Sequence, residues 1–219
     1  MGHLLYVEGI IGSGKSTYSR EVGRRLNYRI FKEPIEEAQL ERFYREPARY
    51  AYNLQMHLLH KRIGIQIIAA AEALYSDTYA GAIVDRSLFG DVVFAEMHAE
   101  SGNIPPIDME SYRAAQNAMQ FLIFPPTTLV FLDVTPETAL KRIQERFSTG
   151  TRPFECGITL EYLQNLSKHY KGLVRNAREG KYPWSHAVQV IHVQWDPATV
   201  TEAEWDAVAA GLKEAQHGS

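Results

Sequence analysis

Nine residues near the start, Gly9-Ile10-Ile11-Gly12-Ser13-Gly14-Lys15-Ser16-Thr17, constrain this chain more than any other stretch. They follow an apolar run, Leu4 to Val7, and precede a segment with helical character. Glycines spaced through such a turn let successive backbone N–H groups point inward at anionic oxygens, and the helix that follows adds its positive dipole end. Gly9, Gly12, Ser13, Gly14, Lys15, Ser16 and Thr17 are therefore expected to cradle a nucleoside triphosphate. Lys15 would reach the β- and γ-phosphates, and the Ser16 hydroxyl would ligate Mg²⁺. A glycine-rich turn can match this spacing by chance, but the flanking strand and helix supply the context that the chemistry needs.

The whole chain limits what could receive the phosphate. Its 219 residues suffice for one well-packed domain, and two would be cramped, so a single domain over 1–219 is expected. A formal net charge of −3 gives no general attraction to nucleic acid or to an anionic membrane, so neither is expected as a partner. The lone cysteine, Cys156, excludes an internal disulfide, and no Cys/His cluster has zinc-ligand spacing. With no signal-like start and no apolar run long enough to span a bilayer, a cytoplasmic location is expected.

Short β-rich runs alternate with longer helical stretches, the pattern of a parallel α/β sheet with helices on both faces. Strands are expected at 4–8, 28–32, 81–85, 127–133 and 188–194. Helices are expected at 15–26, 47–75, 91–100, 108–121, 136–147, 160–177 and 202–214. Ligands of open parallel sheets sit at the carboxyl ends of the strands, where Glu8, Glu33 and Asp85 fall. The turn-rich stretch Ser148 to Pro153 looks like a loop between two helices, within a lid of about 146–157.

Phosphoryl transfer requires positioning, charge neutralisation and a base beside the acceptor hydroxyl. Glu33, in Lys32-Glu33-Pro34, could take the hydroxyl proton, although a Glu-Pro pair alone is more often a plain turn. Asp85 could hold Mg²⁺ and Arg86 could clamp the transferring phosphoryl group; the alternative is a capping carboxylate with a surface ion pair. Gln55 and Arg62 lie seven apart on one helix face and could present donors and an acceptor to a base edge. His57 and His60 share that helix without a third ligand, which favours ordinary helix-face residues. Arg142, Arg146 and Arg152 could close over a triphosphate, but on charge alone a solvated basic face is the better reading.

Taken together, Glu8 to Thr17, Lys32-Glu33-Pro34, Tyr44 to Gln55 with Arg62, Asp85-Arg86-Ser87 with Asp91, Thr135 to Ile143 and Ile158 to Leu163 resemble the deoxynucleoside kinase family. That group includes deoxycytidine, deoxyguanosine and deoxyadenosine kinases and, more distantly, herpesvirus thymidine kinases. The resemblance covers nearly the whole chain and implies a P-loop kinase fold, a five-stranded parallel sheet flanked by helices. It implies transfer of phosphate from an NTP, expected to be ATP with Mg²⁺, to the 5′-hydroxyl of a deoxynucleoside, and a homodimer. Glu33 would be the catalytic base, with Lys15 and Arg86 also catalytic. Tyr44 would bind the sugar 3′-hydroxyl and Gln55 would read the base. Asp85 and Ser16 would serve the metal, and Arg142, Arg146 and Arg152 the lid. Arg62 and Asp91 resemble a pair that accompanies purine and cytosine recognition.

Two departures accompany the resemblance. Lys171 stands where a glutamate partner of the 3′-hydroxyl is expected, and Ser148 replaces a third lid arginine, with Arg152 displaced along the loop. Both would suit an acceptor that already carries a phosphate, so a deoxynucleoside monophosphate kinase is the second reading. A silent kinase-like subunit is the third, though Lys15, Ser16, Glu33, Asp85 and Arg86 are all present.

Overall fold

A computed structural model describes residues 2–152, 155, 157–196 and 200–217. Its centre is a five-stranded parallel sheet in the order β2-β3-β1-β4-β5. The strands are β1 (His3–Glu8), β2 (Tyr28–Phe31), β3 (Gly81–Asp85), β4 (Thr128–Asp133) and β5 (Gln189–Gln194). β1 lies in the middle, paired on one side with β3 and on the other with β4. Strands covered by helices on both faces read as continuous apolar runs, which explains the uninterrupted burial of β1, β3 and β4.

Eight α-helices connect and cover the sheet among the described residues: α1 (Lys15–Leu26), α2 (Glu37–Arg45), α3 (Pro47–Tyr75), α4 (Leu88–Glu100), α5 (Pro106–Gln120), α6 (Pro136–Ser148), α7 (Leu160–Arg178) and α8 (Glu202–His217). The expected strands and long helices are present with ends shifted by a few residues. The largest shift of a helix start is at α4, expected from Asp91 and observed from Leu88. The Ser87 side chain caps it by accepting from the N–H groups of Phe89 and Gly90, so the helix begins directly after the Asp85-Arg86 turn.

α2 was absent from the sequence reading. It has nine residues, only Phe43 among them is fully buried, and charged side chains surround it. Leu40, Phe43 and Tyr44 do share one face at helical spacing, but nine residues are little more than two turns, too short for the pattern to stand out.

The architecture brings the carboxyl ends of β1, β2 and β3 together beneath α2, α3 and α7. At the end of β3 the chain reverses sharply. Arg86 takes a left-handed conformation, φ 71°, that a non-glycine side chain rarely adopts. Its N–H donates to the Val7 carbonyl at 3.0 Å, which ties this turn to the central strand. Among the described residues, no helix is long and apolar enough to cross a membrane.

Candidate active site

The phosphate loop fills the turn between β1 and α1. Gly12 (φ 81°) and Gly14 (φ 91°) both need the left-handed region, and a Cβ on Gly12 would come within 2.6 Å of the Ala139 carbonyl. Ser13 is buried inside the turn. Lys15 folds back over it, its Nζ donating to the carbonyls of Gly9 at 3.1 Å and Ile10 at 3.0 Å. Burial, with Arg86 nearby, lowers the Lys15 pKa to about 8, against the pull of Asp85, Glu33 and Glu8. An anion placed on the loop would raise it again.

A cavity of about 250 Å³ opens from this loop and runs between α2, α3 and the start of α7. It brings together Gly12, Gly14, Lys15, Ser16 and Thr17 at one end with Tyr44, Gln55 and Arg62 at the other; Glu33, Asp85, Arg86, Arg146 and Arg152 also line it. Gly9, Ser13, Asp91 and Arg142 stand behind the wall.

Glu33 sits just past β2, its side chain 26% exposed. One oxygen, Oε1, meets Arg62 Nη2 at 2.8 Å and Arg86 Nε at 2.6 Å. Burial pushes this carboxyl upward, but Arg86, Arg62 and Lys15 outweigh it and hold the pKa down at about 2. Behind Arg62 lies Asp91, fully buried, which pairs with the guanidinium and accepts a hydrogen bond from the Tyr112 hydroxyl.

Arg86 is fixed from the other side. It donates to the Tyr170 hydroxyl, lies over the Phe94 ring at 4.6 Å, and Tyr170 donates to Glu8 Oε2 at 3.0 Å. The other oxygen of Glu8 accepts from the Ser87 N–H at 2.7 Å and the Ser87 hydroxyl at 2.5 Å. Glu8 is thus a buried carboxylate satisfied by neutral donors, and it anchors the turn that aims Arg86 into the cavity.

Asp85 accepts from the Ser16 hydroxyl through Oδ2 at 2.7 Å, while its Oδ1 is buried and lacks a hydrogen-bond partner. Burial raises its pKa, opposed by Lys15 and reinforced by Glu33. A hydroxyl beside a carboxylate with an unsatisfied buried oxygen is a donor set that suits a hard cation such as Mg²⁺.

Above the cavity the arginines meet one carboxylate. Arg146 donates to Glu155 Oε2 at 2.8 Å, and Arg152 to Glu155 Oε1 at 3.1 Å. Arg142 faces the outside of the phosphate loop, donating to the carbonyls of Gly12 at 3.3 Å and Ser13 at 3.5 Å and to Asp196 at 2.6 Å. Within the expected lid of 146–157, Pro153, Phe154 and Cys156 lie outside the described residues.

The structure corrects the reading of Lys171. Its exposed side chain lies 3.4 Å from Asp133, at the end of β4, and does not line the cavity. The acidic group beside Tyr44 is Glu155, buried and close enough to help raise its phenol pKa, after burial itself and Tyr162. Sequence reasoning missed Glu155, Tyr112 and Tyr170. The signal for Glu155 was available in its position two residues before Gly157-Ile158-Thr159-Leu160-Glu161-Tyr162-Leu163. The two tyrosines had none, because their partners lie on other elements.

The deoxynucleoside kinase family model matches residues 5–211. The deoxyadenosine kinase of Dictyostelium discoideum is 32% identical over 216 residues, covering 94% of this chain and 81% of the relative. The deoxyguanosine kinase of the same organism is 35% identical over 169 residues, covering 77% of this chain and 57% of the relative. A solved structure of a deoxyadenosine kinase from M. mycoides with bound dCTP shares the fold at a TM-score of 0.75 and 23% identity, across 96% of this chain and 98% of that one. With a match that spans nearly all its length, and with the phosphate loop, the Asp85-Arg86 turn and Glu33 gathered in one cavity, this chain belongs to the deoxynucleoside kinase family and is a kinase.

Proposed function

We propose that the protein moves the γ-phosphate of ATP to the 5′-hydroxyl of a deoxynucleoside carrying a purine or cytosine base. The observation that carries this reading is the single cavity joining the phosphate loop, a carboxylate held by two arginines, and the Gln55–Arg62 face. The triphosphate lies on the loop amides and Lys15, with Arg86 beside the transferred group and Arg146 and Arg152 above it. Mg²⁺, held by Asp85 and Ser16, would neutralise charge on the phosphate oxygens when bound.

The acceptor occupies the deeper part. Its 5′-hydroxyl faces Glu33, which orients it and takes its proton as the bond to phosphorus forms. Tyr44 and Glu155 face the sugar, the phenol donating and the carboxylate accepting. Gln55, whose Oε1 is buried without a partner, and Arg62 address the base edge. An acceptor-capable ring nitrogen or carbonyl suits the Arg62 donors, and Asp91 holds that guanidinium in place.

The monophosphate-kinase alternative rested partly on Lys171, which lies outside the cavity, whereas the group near Tyr44 is the carboxylate of Glu155. An acceptor 5′-phosphate would stand where the 5′-hydroxyl faces Glu33, and repulsion from that carboxylate disfavours it. The test is phosphate transfer from ATP with Mg²⁺ to the four deoxynucleosides and their monophosphates, products resolved by chromatography. Monophosphates of deoxyadenosine, deoxyguanosine or deoxycytidine are expected; diphosphates formed only from monophosphates would overturn the reading. A homodimer, expected from the family resemblance, is checked by sedimentation equilibrium.

A further inference from the structure

We propose that Arg62 couples base recognition to catalysis: the guanidinium that faces the acceptor's base also restrains Glu33, so a base that engages Arg62 frees the carboxylate for the 5′-hydroxyl. This deepens the proposed function and rests on it.

Three observations carry the inference. Arg62 and Arg86 converge on the same Glu33 oxygen, at 2.8 and 2.6 Å, but only Arg62 makes an aligned hydrogen bond to it, while Arg86 Nε pairs by charge alone. The two arginines are not equally fixed. Arg86 is held by Tyr170 and by the Phe94 ring, whereas Arg62 is held on its far side by Asp91, which leaves its Glu33-facing nitrogen at the cavity wall. Gln55, on the same face of α3 as Arg62, has its amide oxygen buried and unpartnered.

A base bridging Gln55 and Arg62 would gain hydrogen bonds from both at once, which offsets the loss of the Arg62–Glu33 contact. Glu33 keeps Arg86, so its charge stays compensated. Asp91 keeps Arg62, steadied by the Tyr112 hydroxyl. Two carboxylates and two guanidiniums remain balanced before and after the exchange, and only one hydrogen bond changes hands. Arg62 acts on the chemistry through Glu33 and is a positioning residue for the reaction.

The experiment separates the base from the sugar. The acceptor is deoxyribose with hydrogen in place of the base, saturating, with ATP and Mg²⁺, in the presence or absence of free adenine, guanine or cytosine; the readout is kcat. One hydrogen bond to a charged group changes a rate by about tenfold or more when it is gained or lost. Wild type is expected to phosphorylate the baseless sugar slowly, with at least one free base raising kcat by about that factor. Arg62→Met is expected to turn over the baseless sugar faster than wild type by a similar factor and to ignore added base. Because Arg62→Met leaves Asp91 buried and unpaired, the double variant Arg62→Met/Asp91→Asn, which removes both charges, serves where the single variant does not fold. A wild-type kcat indifferent to every base, or a variant no faster than wild type on the baseless sugar, overturns the coupling. Absence of transfer to any intact deoxynucleoside overturns the proposed function itself and is read separately, with wild type alone.

Discussion

The two ends of the cavity are made of different material. At the phosphate end the groups that face a ligand are mostly backbone, fixed by two left-handed glycines and a helix N-terminus within nine consecutive residues. At the acceptor end they are side chains from β2's exit, α2, α3, β3's turn and the loop before α7, held by ion pairs: Glu33 to two arginines, Arg62 to Asp91, Glu155 to Arg146 and Arg152. A backbone cradle is rigid and indifferent to what lies beyond the phosphates. An ion-paired end can exchange partners and can tell one acceptor from another. Substitutions at the first end should therefore slow every acceptor alike, and those at the second should change ranking and pH behaviour.

The largest effect is expected from Lys15→Met, which removes the only ammonium on the loop. Turnover should fall by about 10²–10³ for all acceptors in equal proportion, measured as initial rates with each deoxynucleoside. A change in acceptor ranking would break the division between the ends. Glu33→Gln comes next. It should lower kcat by about a hundredfold while ATP binding, followed by calorimetry, is retained. Unchanged turnover would remove Glu33 from the mechanism.

Arg62→Met sharpens the comparison most directly. It should cut kcat/KM for purine or cytosine acceptors by about tenfold relative to thymidine, the value of one hydrogen bond to a charged group. An unchanged ranking would detach Arg62 from the base. Stability carries a further signature of the ion-paired end. Because the folded pKa of Glu33 lies at about 2, below its ordinary value of 4.5, its contribution is fully present above 4.5 and is lost as pH falls toward 2. Denaturant midpoints should drop between pH 5 and pH 3, and less steeply in Glu33→Gln. The smallest effect is expected for Lys171→Ala: with its side chain exposed outside the cavity, acceptor kinetics should be unchanged in the phosphate-transfer assay.

The same contrast explains what could be read in the sequence. The phosphate loop was legible because its function is local: glycine spacing, lysine and hydroxyl are contiguous, and the flanking strand and helix follow at once. Gln55 and Arg62 were legible because helical period places residues seven apart on one face, and the sheet was legible because doubly covered strands are continuous apolar runs. What was lost needed distance. Asp91 meets Tyr112 across two helices, and Arg86 meets Tyr170 and then Glu8 across three elements, none of which leaves a spacing to find. Lys171 was misplaced because counting along a helix fixes a position on its face but not which neighbour that face meets. Glu155 lay in the expected lid of 146–157, just past the turn-rich stretch, where no periodic pattern runs.

The bond from Tyr170 to Glu8 closes a separation of 162 residues. During synthesis the chain emerges from its N-terminus, so the glycine-rich loop after β1 is available long before α7 appears. Until then Glu8 lacks one of its donors, and Arg86 lacks its brace. A ribosome-bound or prematurely released chain ending before Tyr170 would hold the phosphate loop and β1 to β4 yet lack that support for Arg86, so competence for transfer should arrive only once α7 has docked.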